Sequence, residues 1–149
     1  MKKYGLKRIC RALCLRAATH LPLSNRCRVY LASWGGVNIA DKKHCFIGDG
    51  VIFDSLHPEN IYVGKHAHIT MNCIILTHYL NTKDSSKGWW RSGNVVLNDR
   101  CFIGCGSIIC NPVTIGRNAV VGAGSVVTKD IPDNEVWAGN PAKFIKMRT

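Results

Sequence analysis

A chain of 149 residues is of single-domain size, long enough to bury a core yet short enough that association with copies of itself adds stability. Its 20 Lys and Arg against 9 Asp and Glu leave +11, which points to an anionic partner: a phosphorylated cofactor, a nucleic acid or an acidic lipid surface. No run of about twenty apolar residues is present to span a bilayer as a helix, and Arg8, Arg11 and Arg16 interrupt the apolar residues that a secretory signal would need to be continuous. The expectation is a soluble, cytoplasmic protein, bound at most to a membrane surface.

The charge is concentrated at the start. Lys2, Lys3, Lys7, Arg8, Arg11, Arg16, Arg26 and Arg28 all precede the first acidic residue, Asp41. Over residues 2–18, Leu6, Ile9, Cys10, Leu13, Cys14 and Ala17 recur at helical spacing among basic residues, which predicts an amphipathic helix stopped by Pro22. Its apolar side is expected to pack on the protein or on a neighbouring subunit, with weak attraction of residues 1–30 to anionic headgroups as the sharper alternative. The basic cluster has no interleaved aromatic platform, so no nucleic-acid partner is expected.

The eight cysteines, at 10, 14, 27, 45, 73, 101, 105 and 110, show no CxxC and mostly replace small apolar residues. They are expected to be reduced and packed.

From about residue 39 the pattern changes to a period of six: Leu97, Ile103, Ile109, Ile115, Val121 and Val127, with glycine following at Gly104, Gly116 and Gly122. Ile47-Gly48, Phe53, Val63-Gly64, Ile69 and Ile75 continue the phase upstream, with breaks between Phe53 and Val63 and between Ile75 and Leu97. Neither a helix nor a single strand repeats every six residues. A coil of three short strands does: the aliphatic residue points into a triangular prism and the next lies near a corner, where glycine permits a tight turn. Stacked coils bury aliphatic columns and pair their backbones, leaving mainly the two ends to cover.

This series resembles the hexapeptide-repeat acyltransferases, and the block VVGAGSVVTKDIPDNEVWAGNPAKFI, residues 120–145, is similar to their closing signature. The resemblance, most like that to the sugar and polysaccharide O-acetyltransferases (the galactoside and maltose group), covers roughly residues 36–146. It implies an all-β fold, a left-handed parallel β-helix of about five coils. Residues 1–35 would form a basic helical segment, 36–135 the β-helix with an inserted loop at 79–94, and 136–149 a tail packing on it. It further implies a homotrimer with sites between adjacent prisms, acetyl-coenzyme A as donor and no metal.

Acetyl transfer to a hydroxyl needs a base near neutrality, for which imidazole is suited. Of six histidines, His78 stands where the resembling enzymes place their catalytic one. Ala123, Thr128 and Lys129 match coenzyme-contacting positions, Lys146 falls at a coenzyme-contacting arginine of the galactoside enzyme, and Lys143 lies beside it. Cys105 replaces a serine that steadies the oxyanion, so its backbone amide would serve or the hole is built differently. Asp54, Trp89 and Trp90 are expected on the acceptor side. His66 and His68 form a His-x-His pair suited in principle to zinc, but exposed strand histidines are the expectation. Cys73, Cys101 and Cys105 are not expected as nucleophiles, since direct attack by the acceptor needs none. The implied function is O-acetylation of a sugar hydroxyl in surface polysaccharide synthesis. N-acetylation of an amino or nucleotide sugar, or an inactive scaffold, are the alternatives.

Overall fold

The computed structural model describes residues 5–81, 86 and 88–149. The N-terminal segment forms two helices where one was expected. Helix α1 (Leu6–His20) ends ahead of Pro22, and α2 (Asn25–Trp34) follows, capped by Ser24, whose hydroxyl accepts from the Cys27 amide at 3.4 Å. The buried positions of α2 are Arg28, Val29 and Ala32, so a cation sits in its inward stripe. That cation hides the apolar periodicity from sequence reading.

Strands then recur in threes. The first set is β1 (Asn38–Ile39), β2 (Phe46–Ile47) and β3 (Ile52–Phe53), and the second β4 (Ile61–Val63), β5 (His68–Ile69) and β6 (Ile74–Ile75). A hairpin, β7 (His78–Leu80) with β8 (Trp90–Ser92), interrupts the series. The third set is β9 (Val95–Leu97), β10 (Phe102–Ile103) and β11 (Ile108–Ile109), and the fourth β12 (Thr114–Ile115), β13 (Val120–Val121) and β14 (Val126–Val127). A terminal hairpin of β15 (Glu135–Ala138) and β16 (Lys143–Met147) closes the chain.

Each set gives one strand to each of three faces. Face A runs β1-β4-β9-β12, face B β2-β5-β10-β13 and onward to β15 and β16, and face C β3-β6-β11-β14. Strands of successive sets pair in parallel on each face, and β15 joins β13 in parallel before β16 returns antiparallel. A chain that visits three faces in rotation and stacks parallel strands on each is a β-helix, consistent with the expected left-handed form. The fold is mostly strand, with two short helices, α1 and α2, in its N-terminal segment.

Register turns the six-residue period into columns. Phe53 pairs with Ile75, Ile75 with Ile109 and Ile109 with Val127, while Ile47, Ile69, Ile103 and Val121 stack likewise on face B. Leu97, Ile103, Ile109, Ile115, Val121 and Val127 are all 0% exposed. Each such side chain contributes roughly 2 kcal/mol of burial.

The corner glycines act differently from the sequence expectation. Positive φ falls two residues after them, at Gly50 (68°), His66 (55°), Gly106 (70°), Asn118 (55°) and Gly124 (66°). Gly104 is required by stacking instead: a Cβ there would lie 2.5 Å from the Ala123 backbone nitrogen of the next coil.

At the N-terminal end the helices supply hydrogen bonds that a further coil would otherwise make. Asn25 donates to the Cys45 carbonyl at 3.2 Å and accepts from the Ile47 amide at 2.7 Å, and Arg28 Nε donates to the Ile47 carbonyl at 2.9 Å. Thr19 adds a bond to the Val51 carbonyl at 2.8 Å. The exposed edge of the first strands is thereby blocked. Arg28, only 6% exposed, is neutralised by Asp49 at 2.5 Å.

Candidate active site

The edge where face C turns into face A carries the most concentrated polar chemistry. Pairing of Phe53 with Ile75 sets Asp54 beside Leu76, two residues from His78. Asp54 is 4% exposed, and its Oδ2 accepts from the Thr77 amide at 2.9 Å and the Thr77 hydroxyl at 2.7 Å. The same oxygen lies 2.5 Å from His78 Nδ1, while Oδ1 accepts from the Leu56 amide at 2.9 Å.

Burial opposes ionisation of this carboxyl, but the Thr77 hydroxyl, the Leu56 amide, His78 and the Thr77 amide outweigh it and lower the pKa to about 2. An ionised Asp54 can only accept, so His78 Nδ1 carries a proton, and in the neutral imidazole Nε2 is then the lone-pair nitrogen. The result is an oriented imidazole, 28% exposed, able to take a proton and backed by a charge that stabilises the imidazolium.

Sequence reasoning placed Asp54 on the acceptor and missed Thr77 altogether. In the fold Asp54 is bonded to the histidine, and Thr77, 0% exposed, fixes the carboxylate by two bonds. The signal was available in the six-residue register, which sets Asp54 one coil above Leu76-Thr77-His78.

The segment expected as a loop at 79–94 is a paired structure at its base. His78 faces Ser92, Tyr79 faces Arg91 and Leu80 faces Trp90 across the antiparallel hairpin. Trp90 stands edge-on to His78, ring centroids 5.6 Å apart, and Trp89 and Trp90 are 70% and 67% exposed. Residues 82–85 and 87 lie outside the described residues.

Below this hairpin is a cleft of about 730 Å³ lined by Tyr79, Arg91, Asn111, Thr128 and Lys129 among others. Two of the expected coenzyme contacts, Thr128 and Lys129, are therefore on the His78 edge. Cys105 and Ala123 are not: they occupy equivalent positions in successive coils at the edge between faces B and C. Both are exposed, and the Cys105 carbonyl accepts from Gly124. Lys143 and Lys146 lie exposed on β16.

His66 and His68 do not act as a pair. His66 sits at a corner with φ 55° and stacks on His44 at 4.9 Å, whereas His68 stacks between Phe46 and Phe102 on face B. Among the described residues, Asp41, His44 and His66 bring potential ligand atoms within 4.8 Å of one another.

The cysteines divide. Cys45, Cys73 and Cys101 are buried, while Cys10, Cys27 and Cys105 are exposed. Burial raises the Cys73 thiol and lifts that of Cys101 to about 12, which leaves both protonated and unreactive at neutral pH.

Residues 94–129 match the bacterial transferase hexapeptide family (six repeats). The galactoside O-acetyltransferase of Lactococcus lactis is 33% identical over 118 residues, 75% of this chain and 54% of that protein. A maltose O-acetyltransferase structure from Clostridium difficile superposes with a TM-score of 0.68 at 28% identity, covering 98% of this chain and 90% of the other. The chain thus carries the hexapeptide repeat of the bacterial transferases and is similar to the hexapeptide-repeat acyltransferases. A second hexapeptide-repeat structure, galactoside acetyltransferase in complex with coenzyme A, has a TM-score of 0.69 at 25% identity and covers 96% of this chain and 81% of its own. The chain spans little more than half the length of the curated hexapeptide-repeat relatives it matches.

Proposed function

We propose that the protein is an acetyl-coenzyme A dependent O-acetyltransferase acting on a sugar hydroxyl, with His78 as general base. The observation that carries this reading is the Asp54-held imidazole. In the proposed reaction His78 Nε2 removes the acceptor hydroxyl proton as its oxygen attacks the thioester carbonyl carbon. The tetrahedral intermediate collapses with cleavage of the carbon–sulfur bond, and His78 returns the proton to the departing thiolate. Asp54 stays ionised and stabilises the imidazolium between the two steps.

The donor reading is supported by the relative solved with coenzyme A and by the cleft beside Thr128 and Lys129, where a cation and a hydroxyl suit phosphates and a pantetheine arm. Lys143 and Lys146 extend the positive charge. Sugar acceptors are suggested by the maltose and galactoside enzymes, and Trp90 offers an aromatic face beside the base for a sugar ring to stack on. Trp89, next to it, would take the acceptor or a neighbouring subunit.

The division of candidate residues over two edges supports a homotrimer. One copy supplies His78, Asp54, Thr128 and Lys129, and its neighbour supplies Cys105 and Ala123. In this arrangement the Cys105 amide N–H is the oxyanion donor, since a thiol donates weakly. The remaining elements of the proposal are a left-handed helix of about five coils closed by its terminal segments, a cytoplasmic setting where acetyl-coenzyme A is made, and a place in surface polysaccharide synthesis.

The test is thiol release from acetyl-coenzyme A by purified protein offered a panel of sugars, each hydroxyl compound paired with its amino counterpart. Turnover with hydroxyl acceptors is expected. Turnover confined to the amino sugars contradicts O-transfer, and no turnover with any acceptor contradicts the acetyltransferase reading for these sugars.

A further inference from the structure

Helix α1 shows solvent the very stripe whose periodicity predicted a packing face. Leu6, Ile9 and Leu13 are 77%, 48% and 61% exposed, and Cys10 is exposed beside them. The side that packs inward is the opposite one: Leu15 and Ala18 are buried, Thr19 bonds to Val51, and Arg11 approaches Glu59 at 3.6 Å. Scattered exposed leucines are ordinary, but positions 6, 9 and 13 form one row along the helix, and a row calls for an occupant.

Charge identifies that occupant. The helix LKRICRALCLRAATH contains Lys7, Arg8, Arg11 and Arg16 and no acidic residue. At about 100° per residue, the exposed Lys7 and Arg16 fall on opposite flanks of the aliphatic row. A second copy meeting the row with its own α1 would present a helix of the same sign, and a nucleic acid has no use for the aliphatic row. An anionic bilayer surface matches both: acyl chains take the aliphatic residues and headgroup phosphates take the cations.

We propose that α1 docks the protein on an anionic lipid surface through Leu6, Ile9 and Leu13, with Lys7 and Arg16 against the headgroups. The association is peripheral, since no helix among the described residues is long and apolar enough to cross a membrane. It stands apart from the transferase reading, and its test involves no catalysis.

The whole chain is sedimented with vesicles of phosphatidylcholine alone and of phosphatidylcholine with phosphatidylglycerol, at low and high salt. Pelleting is expected with the anionic vesicles and is weakened by salt. Leu13→Glu lowers partitioning by about tenfold or more, and Lys7→Gln and Arg16→Gln each by about fivefold. Thermal unfolding is unchanged in all three, because each side chain is exposed. The proposal is overturned by absence of pelleting, by equal pelleting with neutral vesicles, or by a Leu13→Glu variant that pellets like the parent. It is also overturned if Leu13→Glu changes the subunit number in the absence of vesicles, which would assign the row to a second copy.

Discussion

Asp54 gives the site its chemical direction, and its replacement is the most informative single change at the residue scale. Asp54→Asn keeps the shape but removes the charge that holds the Nδ1 proton and offsets the imidazolium. A fall of about 10²–10⁴ in kcat is expected, with little change in the KM for acetyl-coenzyme A. A stability loss of about 1–3 kcal/mol accompanies it, because the Thr77 and Leu56 donors lose a charged acceptor. The pH dependence has a defined sign. An unfolded aspartate titrates near about 4, and the native one is lowered to about 2, so its ionised form stabilises the fold fully above the unfolded value. That contribution is lost as the pH falls through about 2. Urea midpoints followed down this acid range should fall further for the parent protein than for Asp54→Asn. Trp90→Ala should raise the acceptor KM by roughly tenfold and leave the donor KM alone, if the ring stacks on the sugar as proposed.

At the scale of elements, the stacked coils tolerate no added atom where backbones meet. Gly104→Ala places a methyl 2.5 Å from the next coil's amide nitrogen and should cost about 1–3 kcal/mol, read as a lower thermal midpoint. Asn25→Ala removes the side chain that serves both the Ile47 amide and the Cys45 carbonyl, and should cost a similar amount. The β-helix was legible because its signal is local: Leu97 to Val127 repeats every six residues, and every member of the series is buried. Helix α2 was not, because its inward face includes Arg28, whose burial depends on Asp49 and on carbonyls far along the chain. The apolar row of α1 does not pack on its own chain, for a related reason. Periodicity reveals that a helix has an apolar side but not which surface that side meets. Likewise His78 stood out by position, while the Asp54–Thr77–His78 cluster required pairing of two coils, which a linear reading did not combine.

For the molecule as a whole, the proposed site requires partners. His78 and Lys129 lie on one edge and Cys105 and Ala123 on another, separated by face C. Sedimentation equilibrium should therefore return three copies per particle, and acetyl-coenzyme A should raise the melting temperature in proportion to its saturation. A monomer that turns over at the full rate would contradict the shared site. The central claim is that an Asp54-oriented His78 takes the acceptor proton, and the rate of thiol release from acetyl-coenzyme A by His78→Ala, at saturating acceptor, tests it most directly. A fall of about 10²–10⁴ in kcat with an unchanged melting temperature is predicted; a variant that retains the parent rate would contradict the account.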